Sequence, residues 1–169
     1  EPATGALDRA IALGEAEGRD RLLARAWVSM GMSHETVARF EEAEQCYTRA
    51  SDIAGALGDR WELARTRSKM GSLCSFVAGR QAEARSHFEW ALSEARAVGD
   101  SFIAAGTAYN LGRLELNGAQ HEDAEAHLCE SLVAYRDMAN RVSEGFVRMG
   151  LGLLHLDRGS ADIARDELS

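Results

Sequence analysis

The sequence predicts an all-α chain of repeated helical hairpins stacked as a solenoid, and three observations carry that prediction. Glycines, alanines and large apolar residues recur every 40 or 41 positions. Ala, Leu, Glu and Arg, all good helix formers, dominate the composition. The single proline is Pro2, so beyond the first residues no ring removes a backbone N–H from a helix interior. Hydrophobic residues make up 46% and charged residues 27%, the balance of a chain that folds around a core. Runs of Val, Ile, Thr and Tyr that would mark strands are absent.

Four columns define the repeat. Gly31, Gly71, Gly112 and Gly152 stand 40, 41 and 40 residues apart, and Ala43, Ala84, Ala124 and Ala164 stand 41, 40 and 40 apart. Tyr47, Phe88, Leu128 and Leu168 keep the same rhythm, as do Ala10, Ala50, Ala91 and Ser131. Self-similarity at a fixed period marks a repeat architecture. The extra residue of the second unit falls between Gly71 and Gly79.

Each unit reads as two helices. In the second, Ala43, Tyr47 and Ala50 are spaced i, i+4, i+7 and share one face, as do Ala84, Phe88, Ala91 and Ala124, Leu128, Ser131. The small residues admit a neighbouring helix and the large one fills the space beside them. The glycine of the first helix costs roughly 1 kcal/mol of helix propensity, so its recurrence predicts close backbone packing there. Gly18, Gly58 and Gly99 suit the left-handed position after a helix, and Asp20, Asp59, Asp100 and Asn140 follow as N-caps. Gly79, Gly118 and Gly159 mark turns inside the units, where the first unit has Ala38-Arg39.

The resulting map is a single repeat domain, 1–169, of about nine helices: a half unit at 3–17, then hairpins at about 20–57, 60–98, 100–138 and 141–169. The array opens half a unit in and stops inside a helix, which reads as a fragment of a larger protein. Its uncapped ends would expose apolar faces and promote self-association.

The net charge is −8, and Lys69 is the one lysine among 19 basic residues. That balance argues against direct contact with nucleic acid or an anionic membrane surface. No apolar stretch reaches the length of a membrane span. Cys46, Cys74 and Cys129 are odd in number without a C-x-x-C pair, which points to a reducing cytoplasm and buried thiols.

Gly31, Ala43, Tyr47 and Ala50 have the order and spacing of the tetratricopeptide signature, with Trp27 and Met30 at its Trp and Leu positions. Leu111-Gly112 and Leu151-Gly152 match its Leu-Gly pair, and Gly79, Ala84, Phe88 and Ala91 match its Gly, Ala, Phe, Ala run. The chain resembles that family over nearly its whole length. It departs in unit length, 40 or 41 residues against about 34, and in a Gly-Asp junction where the family has proline. This longer variety resembles arrays in large bacterial transcription regulators and in peptide-pheromone receptors.

The resemblance implies a right-handed superhelix whose first helices line a concave groove. Matching positions are Arg25, Val28, Met32 and Glu35, then Arg65, Ser68 and Ser72, then Tyr109, Arg113 and Leu116, and finally Phe146, Met149, Leu153 and Leu156. Such a groove offers arginines to carboxylates and apolar walls to side chains. Two readings of Phe146, Met149 and Leu153 stay open: a binding wall, or packing against a further unit. Arg25 and Arg65 read as surface pairs of Glu35 or Glu62 ahead of grips for an acidic ligand.

Residues with catalytic potential do not assemble into a motif. His34-Glu35 lacks the second histidine of H-E-x-x-H, and Gly150-Leu151-Gly152 lies within a helix, away from any strand. His121, Asp123 and His127 form the dense cluster of metal-ligand types, read as a solvated helix face. His34 and His155 read as packed histidines. The expectation is a protein- or peptide-binding scaffold from a larger cytoplasmic bacterial protein, without catalytic residues, cofactor or metal. The alternative is a sensing domain of a transcription regulator that binds a small effector inside the superhelix.

Overall fold

The computed structural model describes residues 2–18 and 20–159. Eight helices occupy them: α1 (Pro2–Glu17), α2 (Asp20–Thr36), α3 (Phe40–Ala56), α4 (Arg60–Phe76), α5 (Gln81–Ala97), α6 (Ser101–Asn117), α7 (His121–Asp137) and α8 (Arg141–Asp157). No strand occurs among the described residues. The expected ninth helix, with Ala164 and Leu168, lies outside them.

The half-period is set by the helix ends. Gly18, Ala38, Gly58, Gly79, Gly99, Ala119, Ala139 and Gly159 all have positive φ, so one left-handed residue follows each helix. At several of these ends the N–H of the residue just after the left-handed one reaches back five residues: Asp59 to the Ala54 carbonyl at 2.9 Å, Gln120 to Glu115 at 2.9 Å, Asn140 to Tyr135 at 2.9 Å. This wrap satisfies carbonyls that a helix end leaves unpaired. Gly118, expected to make the turn before α7, has φ −89; Ala119 takes the left-handed conformation instead, at φ 56. Three of the four expected caps hold: Asp59 accepts from the Glu62 N–H at 3.1 Å, Asp100 from Ile103 at 2.8 Å, and Asn140 from Ser143 at 3.1 Å. Asp20 is instead the first residue of α2, where its carboxylate faces the positive end of the helix dipole.

The chain divides into two compact units, Glu1–Glu94 and Ala95–Ser169, with the division inside α5. In the first, α2 packs most extensively on α3, and α3 on α4. Val28, Ala43, Tyr47, Ala50 and Leu73 form one core cluster there, and Ile11, Leu23, Ala26, Met30 and Cys46 a second. In the second unit, Ala105, Ala124, Leu128, Leu132, Tyr135, Val147, Leu151 and Leu154 join α6, α7 and α8.

The repeated glycines sit where the helices touch. A Cβ on Gly31 would lie 2.5 Å from Cε1 of Tyr47, one on Gly71 2.7 Å from Cδ1 of Phe88, and one on Gly112 2.9 Å from Cγ of Leu128. Tyr47, Phe88 and Leu128 are fully enclosed, so none of them can give way. Gly71→Ala should therefore destabilise the protein by about 1–3 kcal/mol, although alanine is the better helix former. Ala119→Gly should raise stability by about 0.5–1 kcal/mol, because it relieves a left-handed alanine. Urea melts of both variants check the two opposite signs.

Candidate functional site

Residues expected to line a groove fall on α2, α4, α6 and α8, and their surroundings differ. On α2, Arg25 and Met32 are exposed and Glu35 is half-buried. Val28 has no exposed surface; it lies in the core cluster with Tyr47 and Leu73, so it is a packing residue and not a groove residue. On α4, Arg65, Ser68 and Ser72 are half-buried. Arg65 donates through Nε to Oε1 of the buried Glu62 at 3.1 Å and its guanidinium lies 5.6 Å from the Trp61 ring centre. It is thus held on its own helix.

In the second unit, Tyr109 and Leu116 are half-buried against the core, and Arg113 lies over the Tyr109 ring at 5.6 Å. Phe146, Met149, Leu153 and Leu156 are exposed along α8. With Val142 they form a continuous apolar stripe at helical spacing.

Two expected residues converge on an open pocket of about 400 Å³ in the first unit. Its wall is Met32, Glu35, Thr36, Phe40, Lys69 and Phe76. Met32, Phe40 and Phe76 make it apolar, and Glu35 and Lys69 bring one charge of each sign. Sequence reasoning named Met32 and Glu35 and missed the other four. A signal for two of them existed: Lys69, Ser72 and Phe76 are spaced i, i+3, i+7, one helical face.

Glu35 is tied to the core. The Tyr47 hydroxyl donates to its Oε2 at 2.7 Å. Burial, and then the Glu35 carboxylate, push the Tyr47 hydroxyl far above the ordinary tyrosine range, so it stays a donor. The buried ring thereby fixes an acceptor on the pocket wall.

Two histidines expected on a solvated helix face are each engaged by a carboxylate. His121 meets Asp157 at 2.7 Å and His127 meets Glu115 at 2.8 Å, so they serve separate partners and form no cluster with Asp123. The side chains that do converge are Cys74, Glu83 and His87, whose ligand atoms all lie within 4.8 Å of one another. Cys46 and Cys74 are buried, but Cys129 is exposed, contrary to the expectation of three buried thiols. No described helix is long and apolar enough to cross a membrane.

Residues 22–97 match the model of the tetratricopeptide repeat family. The chain is 34% identical over 138 residues to regulatory protein AfsR of Streptomyces griseus, covering 81% of this chain and 14% of that protein. It therefore spans about one-seventh of that relative's length. The crystal structure of BtubC (BKLC) from P. vanneervenii aligns with a TM-score of 0.83 at 21% identity, over 99% of this chain and 69% of that one. At that identity the likeness shows the fold alone.

The Tyr47–Glu35 bond can be tested directly. Tyr47→Phe should cost about 1.5 kcal/mol, the worth of a hydrogen bond to a charged acceptor. Phe88 at the same position of the next hairpin shows that a ring without a hydroxyl fits. Chemical denaturation of the variant measures the loss; an unchanged midpoint would mean that the bond contributes nothing.

Proposed function

We propose that this chain, which carries tetratricopeptide repeats, is a scaffold that binds a protein or peptide segment at the pocket on α2 and α4. The observation that carries the reading is the wall chemistry of that pocket. Met32, Phe40 and Phe76 offer apolar surface to a side chain. The Lys69 ammonium suits a carboxylate, and the Glu35 carboxylate, oriented by Tyr47, suits a backbone N–H. A shallow open site with both charges fits an extended segment, which presents side chains and backbone together. The exposed stripe Phe146, Met149, Leu153 on α8, with Tyr109, Arg113 and Leu116 on α6, is a second candidate contact surface.

The likeness to a protein named as regulatory in a Streptomyces supports a bacterial, cytoplasmic regulator as the parent. It also keeps a second reading in play, in which the same pocket takes a small effector. The net charge of −8 favours neither nucleic acid nor an anionic lipid surface as a direct partner. A binding scaffold needs no catalytic group, and none is assigned.

A displayed random-peptide library selected on the full chain tests the proposal. Selected peptides should carry an apolar anchor next to a carboxylate. Phe76→Ser and Lys69→Glu should each weaken them by about tenfold or more, equivalent to about 1.4 kcal/mol. Peptides indifferent to both variants would overturn the placement, and a ligand recovered only from a small-molecule library would support the effector reading instead.

A further inference from the structure

We propose that Cys74, Glu83 and His87 bind a borderline-soft divalent cation, zinc above all, which clamps the end of α4 to the first turns of α5. Glu83 and His87 are spaced i, i+4 and so share one face of α5, while Cys74 comes from the last turn of α4. Their ligand atoms lie within 4.8 Å of one another. Zinc bonds of roughly 2.0–2.3 Å bring tetrahedral donors about 3.3–3.8 Å apart. The closure needed is about 1 Å, within what small rotations of the three side chains supply.

The repeat itself supports the placement. Cys74 corresponds to Glu115 and His87 to His127, 41 and 40 residues on. At those later positions the side chains touch, His127 Nδ1 to Glu115 Oε2 at 2.8 Å. The hairpin geometry therefore brings these two positions face to face, and the second hairpin places a thiol and an imidazole there. His87 holds Nε2 3.8 Å from Glu83 Oε1, and its other ring nitrogen, Nδ1, is buried without a hydrogen-bond partner.

Charge and orientation fit as well. Arg80 donates to Glu83 through Nε at 2.7 Å and Nη2 at 2.6 Å, and to Glu44 at 3.0 and 2.6 Å. It orients the ligand carboxylate from behind, as outer residues of metal sites do. The Cys74 thiolate, Glu83 and Glu44 together balance Arg80 and a dication. As the metal–sulfur bond forms, the Cys74 thiol gives its proton to solvent. Thiolate, imidazole and carboxylate together select zinc over magnesium or calcium, which want oxygen donors throughout. Three protein donors leave one position for water.

The test uses the full chain, stripped with a chelator and titrated with Co²⁺ and Zn²⁺. One equivalent of cobalt should bind with a thiolate-to-metal charge-transfer band, and zinc should raise the melting temperature. Cys74→Ser should abolish the band, whereas Cys46→Ser and Cys129→Ser should keep it. Glu83→Gln changes an exposed side chain, should leave the circular dichroism intact, and should weaken cobalt binding by more than about tenfold. No band in the unmodified chain, a band that survives Cys74→Ser, or Glu83→Gln binding as tightly as the parent would each overturn the site.

Discussion

A helix backbone pressed directly against a large side chain organises each hairpin. Gly31 meets the Tyr47 ring, Gly71 the Phe88 ring and Gly112 the Leu128 side chain, each too closely for a Cβ. Helix–helix distance is otherwise set by the side chains between two helices. Here one partner has none, so the spacing is fixed by the thickness of a single ring or leucine. Alanines flank that group one turn before and one turn after it, Ala43 and Ala50 beside Tyr47, Ala84 and Ala91 beside Phe88, and all four are fully buried. Once the approach is fixed, every other pair of facing positions is fixed with it.

Two such pairs show what is held constant. The residue four before the glycine faces the residue two after the ring. In the first hairpin this is Trp27 with Arg49 stacked on it at 4.6 Å; in the second it is Arg67 stacked on Trp90 at 4.4 Å. Cation and aromatic have exchanged helices and the contact survives. The residue three after the glycine likewise faces the one before the ring, Glu115 with His127 in one hairpin and Cys74 with His87 in another. The repeat preserves a distance, and chemistry varies upon it.

This division explains what could be read from the sequence. Gly31, Gly71 and Gly112 and their partner columns recur because no other residue fits, so the helices and their core faces were visible. Asp59, Asp100 and Asn140 announced helix starts because their side chains bond the backbone locally. Ala119 was invisible as a turn, since alanine carries no turn preference and the wrap from Gln120 to Glu115 imposes the conformation on it. Val28 was misplaced because its burial depends on Leu73, forty-five residues on, which no local pattern reports. His121, Asp123 and His127 are close in sequence, yet the two histidines turn to Asp157 and Glu115. Cys74 and His87 are thirteen apart on different helices, yet they meet.

The pocket and the cysteine–histidine–glutamate cluster both depend on the last two turns of α4. Lys69, Ser72 and Phe76 mark one face of those turns, and Cys74 lies roughly 140–200° around the helix from them, at 100° per residue. The helix thus presents the pocket wall on one side and the thiol to α5 on the other. A bond that holds Cys74 to α5 would restrain the same backbone that carries Lys69 and Phe76. Ordering a wall before its ligand arrives removes part of the entropy cost of binding. With such a bond in place, whatever fixes the end of α4 from behind would also bear on how well the pocket in front of it is formed.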